Sequence, residues 1–220
     1  MAETALIFDL DGTLIHSVPE IHAVANEVLA EEGLAGFSLP QVQGFVGSGL
    51  PVLVAQMLAG RGEAGTGARH ARMVARFEAL YESRFDLTTL YPGVPAMLAA
   101  LSRHHALAIC TNKPLGPTRA ILARFDLAHF FPVVIGGDSL AVRKPDPAPL
   151  LAAWQQTGAG RAIFVGDSEV DAETAQRAAL PFALFAGGYR KTAAEALGAT
   201  WIFHDHARFP DLVAQGPQAV

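Results

Sequence analysis

The sequence is poor in cysteine, in lysine and in long apolar runs, and each shortage removes a class of protein. A single cysteine, Cys110, excludes an internal disulfide framework. It sits in the apolar run 106–111, where a small buried thiol is the ordinary occupant, and it is assigned no chemistry. No Lys or Arg precedes Arg61, so the opening has no basic n-region of a secretory signal, and a cytoplasmic location is expected. Apolar stretches such as 5–8 and 132–135 end at Asp or Gly long before they could cross a bilayer. A formal net charge of −5 offers no broad cationic face, so neither nucleic acid nor a membrane is an expected partner.

What is present is enough for a full core: 220 residues, 51% of them hydrophobic. The run 5–8 stops abruptly at Asp9-Leu10-Asp11-Gly12, as a strand buried on both faces does. Similar runs at 107–110, 133–135, 162–165 and 182–185 alternate with helical patterns. That alternation predicts an α/β fold with a doubly wound parallel sheet.

The stretch 15–89 breaks the rhythm, with helical patterns and no convincing strand, and reads as an inserted α-helical cap. The expected division is therefore a core of 1–14 and 90–220 and a cap of 15–89. Within the cap, Ile21, Val24, Ala25, Val28 and Leu29 form one apolar face, and Met73, Phe77, Leu80 and Tyr81 another. The glycine-rich 60–67 between them lacks the Gly-Lys-Ser/Thr ending of a phosphate cradle and is expected to be an inter-helix loop.

Asp9 and Asp11 flank Leu10 at the end of the first strand, so alternation sends both carboxylates one way and Leu10 into the core. At about 5 Å and an effective dielectric of 20 they would repel by roughly 3 kcal/mol, which calls for a cation or a shared proton. The place is right, because open α/β sheets bind ligands beyond the carboxyl ends of their strands. Gly12 permits a tight turn there. A polar turn with Asp at its tip would explain such a string taken alone.

Corroboration comes from Gly166-Asp167-Ser168-Glu169-Val170-Asp171, a second strand end rich in carboxylates. Asp167 is placed as a further metal ligand. Asp171 is consistent with a helix-capping box, or with support of the site from behind its ligands. Oxygen-only ligation, with no Cys or clustered His, favours Mg²⁺ over zinc. Thr111-Asn112-Lys113 and Arg143-Lys144-Pro145 follow the next two strands and bring hydroxyl and ammonium donors suited to a phosphoryl group. Lysine is scarce, three against thirteen arginines, and two of the three stand at these strand ends.

Together Asp9–Thr13, Thr111, Lys144 and Gly166–Asp171 resemble, in order and spacing, the signatures of the haloacid dehalogenase-like superfamily. The resemblance spans roughly residues 6–189. It implies that Asp9 attacks phosphorus, that Asp11 protonates the leaving oxygen and then activates water, and that Mg²⁺ is held by Asp9, the Asp11 backbone carbonyl and Asp167. It further implies that Thr111 and Lys144 hold the phosphoryl oxygens; Asn112, Gly12 and Ser48 are expected to complete the substrate contacts. The segments 46–50, 91–94, 136–138, 143–147 and 188–189 look most like phosphoglycolate phosphatases, which implies a small phosphorylated metabolite as substrate.

Alternatives within reach of these motifs are a β-phosphoglucomutase-like phosphotransferase and a receiver-like, phospho-accepting signalling module. The cap-sized insertion and the Asp-Gly-Thr string oppose the receiver. Asp11 opposes a dehalogenase, and the lack of any Lys between residues 14 and 112 opposes a phosphonate-cleaving relative. Loop residues Gly47, Ser48 and Gly49 are expected to close over a substrate carboxylate. Arg69, Arg72 and Arg76 are expected to be a solvated helix face, His16 a surface residue, and His204 and His206 part of a turn. A monomer or homodimer is expected.

Overall fold

A computed structural model describes residues 3–82 and 84–216. Its centre is β1 (Thr4–Phe8), where alternate side chains enter opposite layers: Leu6 and Phe8 on one face, Ala5 and Ile7 on the other, all fully buried.

The chain continues through β2 (Ile15–His16), α1 (Val18–Glu31), α2 (Leu39–Gln43), α3 (Leu50–Ala59), α4 (Ala68–Tyr81) and β3 (Thr89–Leu90). It then winds through α5 (Val94–Leu101), β4 (Ala106–Cys110), α6 (Leu115–Arg124), β5 (Val133–Ile135) and α7 (Ala148–Thr157). The last elements are β6 (Arg161–Gly166), α8 (Glu169–Arg177), β7 (Phe182–Phe185), β8 (Trp201–Phe203) and α9 (Phe209–Gln215).

The main sheet has the order β5-β4-β1-β6-β7-β8, with every pairing parallel. From β1 the chain first builds toward β5 and then crosses back to β6. The order therefore reverses around β1, and the crevice beyond its carboxyl end is where such sheets bind ligands. The doubly wound prediction holds, with one strand more than the five apolar runs indicated. The additional strand is Trp201–Phe203, which pairs with β7 at the edge of the sheet.

The helices α1 to α4 bury their own cluster, built on Val24, Leu29, Val54, Met57, Leu58 and Phe77. Pro at the start of α1 and α3 fixes their entry, and Gly60–Gly67 is the expected loop between α3 and α4. One expectation fails here: residues 15–89 do include strand. Ile15–His16 pairs antiparallel with Thr89–Leu90, a two-residue ribbon at the point where the helical segment leaves and rejoins the sheet. Two residues are too few to show alternation. Among the described residues no helix is long and apolar enough to cross a membrane.

Candidate active site

Three strand ends converge beyond the sheet. Asp9 follows β1, Thr111 follows β4 and Asp167 follows β6. Asp9, Asp167 and Asp171 each place a carboxylate oxygen within 4.8 Å of the others, and all three are buried.

Asp171 is spent within the protein. Its Oδ1 accepts from Lys144 Nζ at 2.6 Å, while Oδ2 accepts from the Asp167 and Ser168 amides and the Ser168 hydroxyl. The capping box predicted at Ser168-x-x-Asp171 is formed, and the same side chain also anchors the lysine. Asp167 accepts from the Thr13 hydroxyl at 2.8 Å and the Tyr189 amide at 2.7 Å. It is also walled in by glycine: Gly12, at φ 87°, and Gly188 both lie so close that a Cβ on either would strike its carboxylate.

Lys144 Nζ lies 3.0 Å from Asp9 Oδ1, an ion pair, yet that buried oxygen has no aligned hydrogen-bond donor. Burial, only partly offset by Lys144, pushes Asp9 up to about 6. Burial and then the charges of Asp171 and Asp9 hold Asp167 well above the usual carboxylate range. Burial alone would lower the Lys144 ammonium, but Asp171 and Asp9 outweigh it and keep it firmly charged. Crowded carboxylates with spare oxygen lone pairs, one of them orphaned, fit a hard divalent cation. Asp9 and Asp167 are the side chains free to hold it.

Asp11 stands apart from this cluster. It accepts from the Ser17 hydroxyl at 2.5 Å and from Lys113 Nζ at 3.3 and 3.4 Å, and Lys113 in turn donates to the Tyr81 hydroxyl at 2.7 Å. The sequence argument that Asp9 and Asp11 together demand one cation is therefore corrected. Each carboxylate has its own lysine, and the carboxylates that crowd together are Asp9, Asp167 and Asp171. Leu10 between them is fully buried, as alternation requires.

Asp9, Asp11, Thr111, Asn112 and Lys113 line one pocket whose opposite wall is the helical segment. Gly47 and Gly49 line it too, but Ser48 between them does not, because its residue lies off the pocket wall. Asn112 donates to the carbonyls of Gly47 and Lys144, both at 2.9 Å, and so ties that loop to the strand ends. Gly12 touches Asp167 and does not line the pocket.

Two histidine expectations change. His16 is half-buried, 3.3 Å from the Tyr189 hydroxyl, and His206 is buried with its ring on the Thr13 carbonyl at 2.8 Å. Neither belongs to a metal cluster among the described residues. Arg69, Arg72 and Arg76 pair with Glu63, Glu32 and Glu31 on the outer face, as expected of a solvated stripe. Cys110 is buried with its thiol pushed up to about 12, which keeps it inert.

Residues 6–185 match the model of the haloacid dehalogenase-like hydrolases. The chain belongs to that family. A phosphoglycolate phosphatase of Cereibacter sphaeroides is 49% identical over 210 residues, covering 94% of this chain and 96% of the relative. A solved structure of a predicted phosphoglycolate phosphatase from Haemophilus somnus 129pt superposes with a TM-score of 0.89 at 29% identity, covering 95% and 97% of the two chains. CbbY from Rhodobacter sphaeroides, solved in complex with phosphate, superposes at 0.75 with 25% identity, covering 94% and 96%. With this kinship along nearly its whole length, the family member described here is a phosphatase.

Proposed function

We propose that this phosphatase is Mg²⁺-dependent, works through a phosphorylated Asp9, and acts on 2-phosphoglycolate or a closely similar small metabolite. The observation that carries this reading is the position of Asp9. Among the described residues it alone both lines the pocket and belongs to the buried acidic cluster.

A phosphate ester in the pocket meets Asp9 from one side and Asp11 from the other. An Asp9 oxygen attacks phosphorus as the bond to the ester oxygen breaks, and Asp11 delivers its proton to that oxygen. The same Asp11, now ionised, takes a proton from water as the water attacks phosphorus. Inorganic phosphate leaves and Asp9 is restored. Splitting one displacement into two, with fixed positive charge around the phosphoryl oxygens, is the help this chemistry needs.

Lys144, fixed by Asp171, supplies that charge and orients Asp9; Thr111 adds its hydroxyl. Ser17 and Lys113 hold Asp11 in place. Asp9, Asp167 and the Asp11 carbonyl would hold Mg²⁺, which when bound neutralises charge on the phosphoryl oxygens. The helical segment acts as a cap that excludes water, with Asn112 fastening its Gly47 loop. The name shared by the relatives supports the substrate.

The reading is checked by phosphate release from a panel of esters, each with and without Mg²⁺. Metal-dependent hydrolysis with 2-phosphoglycolate foremost is expected. Formation of glucose 6-phosphate from β-glucose 1-phosphate would replace hydrolysis with phosphotransfer.

A further inference from the structure

Lys113 is more deeply buried than an accessory lysine should be. Its side chain is 2% exposed, although lysines are almost never fully buried unless paired, and its contacts are uneven. The Tyr81 hydroxyl takes one N–H at 2.7 Å. The two Asp11 carboxylate oxygens accept from the same ammonium at the longer 3.3 and 3.4 Å. The ammonium also lies 4.0 Å from the centre of the Tyr81 ring, a contact that favours a charged lysine.

Besides holding Asp11, Lys113 lines the pocket. Among the described residues it is the one cation lining it, since Lys144 is turned to Asp9 and Asp171. The facing wall of Ile21, Val46, Leu50, Leu53 and Phe77 is apolar, and Glu78 on it carries the wrong sign for an anion. Nearness to Asp11 sets the scale. The leaving-group oxygen must reach Asp11, so an anion on Lys113 stands only a bond or two from the ester carbon.

We propose that the Lys113 ammonium and Tyr81 hydroxyl form an anion subsite for a carboxylate on the leaving group, selecting short phosphomonoesters that carry one. This rests on the phosphatase reading above and names what selects its substrate. The subsite draws Lys113 from the strand end and Tyr81 from α4, so it is complete only where the helical segment meets the sheet.

The test compares 2-phosphoglycolate with ethyl phosphate, which has the same two-carbon length and no carboxylate, in wild type, Lys113→Met and Tyr81→Phe. The ratio of their kcat/KM values should fall about 10- to 100-fold in Lys113→Met and roughly 10-fold or less in Tyr81→Phe, as loss of a charged and a neutral hydrogen bond predicts. Tyr81→Phe leaves the Asp11 contact in place, so its ratio reports the subsite without disturbing the acid. Calorimetric binding of both esters to Asp9→Asn, with and without Lys113→Met, gives the same comparison without turnover. Equal losses for the two esters, or equal wild-type binding of both, would overturn the subsite. Carboxylate-selective binding without hydrolysis would instead overturn the phosphatase mechanism and leave the subsite standing.

Discussion

The two buried lysines of the site are held in different ways. Lys144 is locked between Asp171 of α8 at 2.6 Å and Asp9 at the end of β1 at 3.0 Å. Lys113 is held loosely by Asp11 and firmly by Tyr81, which comes from the helical segment. Burial acts on both, yet the outcomes are opposite: two close carboxylates keep Lys144 above its ordinary pKa, while Lys113 is pushed below it despite Asp11. A fixed charge suits a phosphoryl group that is the same in every substrate. A charge held by long contacts to its carboxylate suits the part of the substrate that varies.

The comparison breaks most visibly at Lys144. Lys144→Met leaves Asp9 and Asp171 buried without their counter-charge, so turnover should vanish and stability should drop by about 3–5 kcal/mol. Urea unfolding of the metal-free protein measures the second effect, and a loss below about 1 kcal/mol would mean the pair is not the anchor described.

A pH test separates Asp9 from its neighbours. Its folded pKa of about 6 lies above the ordinary carboxylate value of 3.8, so the folded state holds the proton more tightly. Metal-free stability should therefore fall as pH rises between those values, by about 1.4 kcal/mol per pH unit from this group. Asp9→Asn should lack that slope, and Mg²⁺ should raise the melting temperature of the wild type more at pH 8 than at pH 5. A wild type and Asp9→Asn with parallel pH profiles would contradict the burial argument.

On the Lys113 side the effects are smaller. Ser17→Ala removes the 2.5 Å bond that orients Asp11 and should lower kcat roughly 10-fold with little change in KM, since general acid–base help is involved and binding is not. Smallest of all, Arg76→Ala on the outer face of α4 should leave kcat/KM unchanged and barely move the melting temperature, as loss of an exposed pair does.

Legibility in the sequence followed the range of the interactions. The strands β1, β4, β5, β6 and β7 declared themselves as apolar runs because burial on both faces leaves a local mark. The paired strands β2 and β3 did not, being two residues long, and neither did β8. Asp9, Asp167 and Lys144 stood out at strand ends, where the fold brings chemistry together. Tyr81 was hidden because it continues the apolar face of Met73 and Phe77, and only its hydroxyl, 32 positions from Lys113, departs from that role. Ser17 and Tyr189 were hidden likewise. The Tyr189 hydroxyl accepts the Ser17 amide across 172 residues, and no spacing rule reports such a contact. Asp171 was legible in half its role: the capping box is local, the bond to Lys144 is not.

The central claim is that Asp9 carries the phosphoryl group. Rapid acid quenching during turnover, followed by mass spectrometry of the digested protein, should find a phosphoryl adduct on the peptide containing Asp9, absent from an Asp9→Asn variant that no longer turns over. An adduct on another residue, or undiminished hydrolysis by Asp9→Asn, would contradict it.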